Sequence, residues 1–386
     1  MSPMRRVARV LSIITGLSLC AAGAAPAIGQ VSVPHRIWHL PEAGRGGAAA
    51  DAETAYFLSK THEVLAVDIA TGDLRWRRQT LEQGDALSGE SLLTFGPSLI
   101  VGDYNLLAFD RRTGGLRWRF IPSDGYGPGV YLGVVHDGAA LAGSPSGHVY
   151  AVDVDSGALR WSTRVSTDGK TTVFAPAASR EFVAAGFTGF TAPMRGGVVV
   201  LAAGTGHVVW KRQFPASEDA LLGTNWAGGP VFHENAVIVS SGDGQIHAFD
   251  VQSGEPRWTI PRISGPSPFP IAADRDFRPL ALADDVLISG SLTGRITGYD
   301  VVTRAERWRF TGTALGSSAF RIAAVDGVAY VPFANGTLVA LAAADGRELW
   351  RIGDWTSGFL WPPAVRGDIL LLSGAGDGMS AVRSGR

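Results

Sequence analysis

The sequence predicts an all-β protein, an eight-bladed β-propeller of four-stranded antiparallel blades that is closed by an N-terminal strand completing the C-terminal blade. Three observations predict this fold: a hairpin unit that recurs along the 386 residues, a count of eight second strands, and an isolated strand near the N-terminus. Repeats of about 40 to 50 residues are typical of propeller blades, because each blade is a small sheet that cannot bury its apolar face alone.

The recurring unit is clearest at residues 64–77. It consists of an alternating strand that ends at Asp68, a tight turn at Thr71 and Gly72, and a second strand that carries Trp76. Seven tryptophans occupy this position at intervals of about 42 to 50 residues, and an eighth lies in the N-terminal strand. The eight repeat tryptophans are Trp38, Trp76, Trp118, Trp161, Trp210, Trp258, Trp308 and Trp350.

The repeated residues have a structural explanation. A tryptophan on an outer strand buries on the order of 200 Å² against the next blade, and its indole N–H can donate to a backbone carbonyl there. The aspartate accepts hydrogen bonds from turn amides, and the glycine makes the turn. An active site needs a few residues in one place, whereas these residues recur from blade to blade, so we assign them to the scaffold.

The second strands are the easiest to count because they are the most apolar. They are predicted at residues 55–59, 98–102, 139–143, 182–186, 236–240, 286–290, 328–332 and 369–373. The last repeat ends near Arg383 without a fourth strand, and residues 35–40 around Trp38 have the pattern of that missing strand. Pairing the two would remove two exposed sheet edges and close the ring. A seven-bladed ring with a frayed tail is the alternative.

The N-terminus predicts export. Arg5, Arg6 and Arg9 precede a short apolar run and then small residues, which is the order of a secretory signal peptide over residues 1–27, followed by a single propeller over residues 31–386. An uncleaved anchor is the alternative. Lipid attachment at Cys20 is also left open, since Leu19 stands where a lipobox has a small residue. We therefore expect a periplasmic or extracellular monomer, associated with a membrane only through such a lipid or through a membrane-protein partner.

Charge and composition limit the function classes. Without the signal segment the chain has 31 basic and 35 acidic side chains, which argues against nucleic-acid binding. Cys20 is the only cysteine, so the mature chain has no disulfide, thiolate nucleophile or cysteine metal site. The eight histidines show no zinc-binding spacing. We therefore assign no metal site and no catalytic residue.

The pattern Ala-x-Asp-x-x-Thr-Gly-x-x-x-Trp, intact at residues 66–76 and 108–118, resembles the repeat of pyrroloquinoline quinone (PQQ) dehydrogenase propellers. Within that superfamily, a single exported propeller of this length is most similar to the BamB family of outer-membrane assembly lipoproteins. The resemblance implies a non-enzymatic scaffold that binds a protein partner.

The enzyme branch of the same superfamily implies PQQ with calcium at the ring centre, beside a pair of adjacent cysteines. No cysteine is left in the mature chain, so we expect no cofactor. The alternative function is a channel-site enzyme, either a PQQ-dependent dehydrogenase or a hydrolase or lyase acting on polysaccharide.

Candidate partner-binding residues lie in the connections between blades and in one insertion. Aromatic rings near the channel provide flat apolar contact area for a partner, although they could instead plug the channel. The insertion at residues 186–197 would expose apolar side chains unless they fold back or meet a partner. The candidates in the connections are Trp226, Trp355, Trp361, Phe269, Phe320 and Arg321, and those in the insertion are Phe187, Phe190 and Met194.

Overall fold

A computed structural model shows an all-β chain arranged as an eight-bladed propeller. It describes residues 34–42, 44–80, 91–122, 129–166, 170–189, 196–214, 229–241, 245–261, 280–291, 294–312, 322–353, 361–374 and 378–385. Within these residues 33 strands form eight antiparallel sheets. No helix in this part of the chain has the length and apolar character needed to cross a membrane.

The strands follow one another blade by blade. The first strand is β1 (His35–Leu40). Blade 1 comprises β2 (Gly44–Ala50), β3 (Thr54–Ser59), β4 (Glu63–Asp68) and β5 (Leu74–Gln79), and blade 2 comprises β6 (Ser91–Phe95), β7 (Ser98–Gly102), β8 (Leu106–Asp110) and β9 (Leu116–Phe120). Blade 3 comprises β10 (Tyr131–His136), β11 (Ala139–Gly143), β12 (His148–Asp153) and β13 (Leu159–Arg164). Blade 4 comprises β14 (Thr171–Val173), β15 (Ala177–Ala178), β16 (Phe182–Gly189), β17 (Gly196–Ala202) and β18 (Val208–Gln213).

Blades 5 to 8 continue in the same order. Blade 5 comprises β19 (Val231–His233), β20 (Ala236–Ser240), β21 (Ile246–Asp250) and β22 (Pro256–Ile260), and blade 6 comprises β23 (Ala281–Ala283), β24 (Val286–Gly290), β25 (Arg295–Asp300) and β26 (Glu306–Thr311). Blade 7 comprises β27 (Ala323–Val325), β28 (Val328–Pro332), β29 (Leu338–Ala342) and β30 (Glu348–Ile352). Blade 8 contains β31 (Ala364–Arg366), β32 (Ile369–Gly374) and β33 (Gly378–Arg383).

The predicted second strands are all present. They are β3, β7, β11, β16, β20, β24, β28 and β32, one in each blade. Most of their side chains are buried, because each of these strands lies inside its sheet and packs against neighbouring blades on both faces. Leu99, Ile100 and Val101 of β7, for example, have no exposed surface. The count of eight is confirmed, and the seven-bladed alternative is wrong.

The N-terminal strand closes the ring as predicted. β1 pairs antiparallel with β33, placing His35 opposite Arg383 and Leu40 opposite Met379, with a register shift before Trp38. The sheet order of blade 8 is therefore β1-β33-β32-β31. This pairing supplies the fourth strand that the C-terminal repeat lacks, so blade 8 is built from both ends of the chain.

Eight apolar clusters fill the seams between neighbouring blades. Seven of them join blades that are consecutive in the chain, and the eighth joins blade 8 to blade 1. In this last seam Trp38 packs edge-on against Phe57, with ring centroids 5.9 Å apart. Because apolar burial is the main favourable term in folding, the continuous series of clusters stabilises the closed ring.

The repeat tryptophans contribute a polar contact to most seams. Among the described residues, six indole N–H groups donate to a backbone carbonyl oxygen of the next blade, as the sequence predicts. The donor and acceptor residues are Trp38 and Ile69 (2.9 Å), Trp76 and Arg111 (2.9 Å), Trp118 and Val154 (2.9 Å), Trp161 and Ala203 (2.9 Å), Trp210 and Val251 (2.8 Å), and Trp308 and Ala343 (2.8 Å).

A turn glycine that packs against a repeat tryptophan is expected to tolerate no side chain. Gly114 has φ +68°, and a Cβ atom there would lie 2.7 Å from the ring of Trp76. We expect Gly114→Ala to lower the free energy of unfolding by about 2 to 5 kcal/mol, because backbone strain and overpacking add. Chemical denaturation measures the loss. Gly367→Ala is the matched control, since Gly367 has φ +57° and an added Cβ meets nothing within 4 Å. An equal loss in both variants would show that indole packing is irrelevant.

Candidate functional site

The two faces of the ring differ in what they carry. The connection face is the face at which the outer strands end and the chain passes to the next blade. The hairpin face is the opposite face, and it carries the turns between the third and fourth strands. Trp361 lies in the connection between β30 and β31 and is half-buried. Its place is the predicted one, and its role in partner contact remains a prediction.

Most of the other predicted residues fall outside the part of the chain that the structure describes. These are Trp226, Trp355, Phe269, Phe320, Arg321, Phe190 and Met194, together with residues 1–27 and Cys20.

Phe187 requires a correction. The sequence places it in an insertion and makes it a candidate for partner contact, whereas the structure extends β16 to Gly189 and leaves Phe187 only 2% exposed. Its ring packs in the seam between blades 3 and 4, and Lys211 Nζ lies 4.7 Å from its centroid. The opposite residue, Gly197, makes room, because a Cβ there would lie 2.5 Å from the ring. Phe187 is therefore a core residue and offers no contact surface.

A buried polar cluster on the connection face links blades 1 and 2. Arg45 Nη1 lies 2.7 Å from His62 Nε2, and His62 Nδ1 lies 3.2 Å from Asp103 Oδ2. Thr80 donates its hydroxyl to the same carboxylate oxygen at 2.6 Å. Asp103 has no exposed surface, and its Oδ1 atom has no hydrogen-bond partner among the described residues. Sequence reasoning missed this cluster, since His62 and Asp103 are 41 residues apart and do not repeat.

The geometry of the cluster assigns a role to each atom. An arginine can only donate, so His62 Nε2 accepts from Arg45 and the ring is neutral with its proton on Nδ1, which donates to Asp103. Both imidazole nitrogens are therefore engaged, and neither is available as a general base. We conclude that the cluster joins two blades structurally.

The repeat aspartates form a second set of polar contacts, on the hairpin face. Asp153 accepts from the backbone N–H groups of Asp155 and Ser156 and lies 2.7 Å from Arg160 Nη2. The same Asp–Arg pair occurs in five blades: Asp68 with Arg75, Asp110 with Arg117, Asp153 with Arg160, Asp250 with Arg257, and Asp300 with Arg307. Arginine precedes the tryptophan in these five blades and in none of the three that lack the aspartate.

These aspartates predict a dependence of stability on pH. Hydrogen bonds from Arg160, then from Ser156, hold the pKa of the Asp153 carboxyl well below its usual range. A carboxyl whose pKa is lower in the folded protein than in the unfolded chain stabilises the fold. This stabilisation is complete above the pKa of the unfolded chain, about 4, and it is lost as the pH falls through the pKa of the folded protein. We expect Asp153→Asn to reduce the loss of stability between about pH 5 and pH 2. Urea midpoints across this range measure it, and an unchanged pH dependence would contradict the assignment.

Two further surface features are visible. On the connection face a groove of about 280 Å³ lies beside the closing seam, and Arg77 in its lining pairs with Glu42 and with Glu63 (3.5 Å). On the hairpin face an exposed aliphatic residue begins the outer strand in blades 1 to 4, whereas a glutamate stands there in blades 6 and 7. The aliphatic residues are Leu74, Leu116, Leu159 and Val208, and the glutamates are Glu306 and Glu348.

The ring of eight blades with this repeat defines the class of the protein, an eight-bladed propeller of the PQQ-repeat type. The model of the family "Outer membrane protein assembly factor BamB" matches residues 102–185, 171–278 and 292–385. These matches cover more than half of the chain, and the chain belongs to this family.

Individual proteins show the same likeness. An outer membrane protein assembly factor BamB of Bordetella pertussis is 27% identical over 235 residues, which is 60% of this chain and 54% of the relative. This chain thus spans about half of that relative's length. The crystal structure of BamB from Moraxella catarrhalis has a TM-score of 0.67 at 17% identity, covering 91% of this chain and all of that one.

An enzyme has the same architecture. The quinohemoprotein alcohol dehydrogenase of Comamonas testosteroni has a TM-score of 0.68 at 14% identity, covering 92% of this chain and 76% of that one. At such identities the two structural likenesses show the fold alone, and fold does not decide function.

Proposed function

We propose that the protein is exported and acts as a non-enzymatic scaffold in outer-membrane protein assembly, where it binds a protein partner. The single observation that carries this proposal is the match of the BamB family model to residues 102–278 and 292–385 on a closed eight-bladed ring. The basic and apolar order of residues 1–27 supports export. Lipid attachment at Cys20 would hold the protein at a membrane.

The described polar groups support a scaffold role. The Asp–Arg pairs stabilise turns, and both nitrogens of His62 are used in joining two blades. Partner contact then falls to the connections, where Trp361 is half-buried and Trp226 and Trp355 occupy equivalent places in the sequence. Rigid aromatic rings give contact area at small entropic cost, which suits a protein partner.

Co-purification tests the proposal. Tagged protein is purified from envelopes of its source, and the accompanying proteins are identified by mass spectrometry. We expect outer-membrane assembly proteins with the wild type, and at least a several-fold lower recovery when Trp226, Trp355 and Trp361 are all replaced by alanine. Leu116→Ser on the hairpin face is the control and should leave recovery unchanged, since Leu116 is 52% exposed. Absence of assembly proteins, or equal losses in both variants, would contradict the proposal.

The quinone alternative has its own test. The residues of this chain do not fit a site for PQQ with calcium. Residues 31–386 contain no cysteine, and the described part of the chain has no group of three or more His, Asp or Glu side chains that could hold a metal ion. We therefore expect PQQ with calcium to leave the thermal midpoint unchanged. A bound ligand at 100 times its dissociation constant would add about 2.7 kcal/mol of stability, so a clear upward shift would favour the dehydrogenase.

A further inference from the structure

The seam between blades 5 and 6 departs from the pattern of six other seams. At six seams the repeat tryptophan lies against a glycine in the turn of the next blade, where an added Cβ would come within 2.5 to 2.8 Å of the ring. In blade 6 the equivalent residue is Arg304, which keeps the left-handed backbone with φ +65°. A residue other than glycine in this conformation is strained, and such strain often marks a site with a function.

The substitution changes how Trp258 packs. An arginine Cβ occupies the space that the indole fills elsewhere, and Trp258 is only partly buried. Six other repeat tryptophans donate their indole N–H across the seam, whereas Trp258 has no such acceptor among the described residues. Trp258 therefore presents a free donor at this seam.

A pocket of about 240 Å³ opens at the same place, and its lining includes Trp258, Val302 and Arg304. Val302 is 61% exposed. Arg304 Nε donates to the carbonyl of its neighbour Thr303 at 3.2 Å, and its guanidinium forms no ion pair with any described residue. The other arginine of the lining, Arg257, is already paired with Asp250 at 3.1 Å. The pocket thus combines an unpaired cation, an indole N–H donor and an exposed aliphatic side chain.

We propose that this pocket binds a carboxylate carried beside an aliphatic side chain, as in a peptide. Arg304 and the Trp258 N–H would donate to the carboxylate, and Val302 with the indole face would contact the aliphatic group. Glu234 in the same lining disfavours ligands of higher negative charge, such as phosphates. The site lies on the hairpin face and is independent of the proposed role of the connection face.

Titration of the ¹⁵N-labelled protein followed by NMR tests binding at this site directly. The probe is N-acetyl-leucine, and the indole N–H resonance of Trp258 is assigned from Trp258→Phe. We expect that resonance to shift saturably, with a dissociation constant on the order of 1 mM for so small a probe. The Trp308 resonance should not move, because its N–H is bonded to Ala343. N-acetyl-leucine amide should produce no shift, and a shift of equal size would overturn the proposal.

Two further sets of binding measurements identify the source of the carboxylate and test the role of Arg304. N-acetyl-aspartyl-leucine amide carries only a side-chain carboxylate, so stronger binding than N-acetyl-leucine indicates an internal acidic segment and weaker binding indicates a peptide C-terminus. Arg304→Gly restores the repeat and should weaken binding at least tenfold while raising the denaturation midpoint. Arg112→Gly, which removes an exposed turn arginine of blade 2, should leave binding unchanged. Unchanged binding in Arg304→Gly, or no saturable shift in the wild type, would refute the site.

Discussion

Replacing Trp38 by alanine is expected to lower the free energy of unfolding by about 3 to 5 kcal/mol, the usual cost of truncating a buried tryptophan. Trp38 is 8% exposed, packs edge-on against Phe57 and donates to the carbonyl oxygen of Ile69. The truncation leaves a cavity in the seam between blades 8 and 1 and removes the donor of a buried carbonyl. Chemical denaturation followed by circular dichroism measures the loss.

The matched control for this prediction is Trp361→Ala. It removes the same side chain from a half-buried position outside the eight seam clusters, so we expect a smaller loss of about 1 kcal/mol. Equal losses would mean that the closing seam contributes no more than an ordinary surface contact. A Trp38→Ala protein as stable as the wild type would contradict closure by β1 as a source of stability.

Asp103→Ala is the second substitution with a large expected effect, a loss of about 3 to 5 kcal/mol. It removes the acceptor of His62 Nδ1–H and one of the two acceptors of the Thr80 hydroxyl, the other being the carbonyl oxygen of His62 at 2.9 Å. Removing one member of a buried polar network costs more than an average hydrogen bond contributes, because the imidazole N–H of His62 stays buried after it has lost its acceptor. Denaturation midpoints of the variant and the wild type give the size of the loss.

Asp103→Asn separates charge from hydrogen bonding in this cluster. The amide keeps the shape and one acceptor oxygen, so we expect a loss smaller than that of the alanine variant. If both variants were as stable as the wild type, the cluster would not join blades 1 and 2 as described. If the asparagine variant lost as much as the alanine variant, the carboxylate charge would account for the whole effect.

The ring architecture could be predicted because the same turn and tryptophan recur from blade to blade. The turn at Thr71 and Gly72 and the position of Trp76 recur, so an error in one blade is corrected by the others, and β1 was predictable because one blade lacked its fourth strand. Phe187 was misplaced because residues 186–197 were interpreted as an insertion, whereas β16 continues to Gly189 and Gly197 opposite makes room for its ring.

The polar contacts were less accessible to sequence reasoning. The pair of His62 and Asp103 depends on two turns of different blades, and no local pattern links them. By contrast, two features could have been read directly. Arginine precedes the tryptophan only where the aspartate is kept, and Arg304 breaks a series of turn glycines. The roles of Trp226, Trp355 and Trp361 remain predictions.

The pairing of β1 with β33 also sets an order of events during folding. The two strands are separated by more than three hundred residues, so blade 8 cannot be completed until the last strand has left the ribosome and crossed any membrane. Until then both open edges can pair with other chains, and contacts so distant in sequence form slowly. A protein that closes its ring in this way is most exposed to aggregation while β33 is still missing, which is when a chaperone would be of most use.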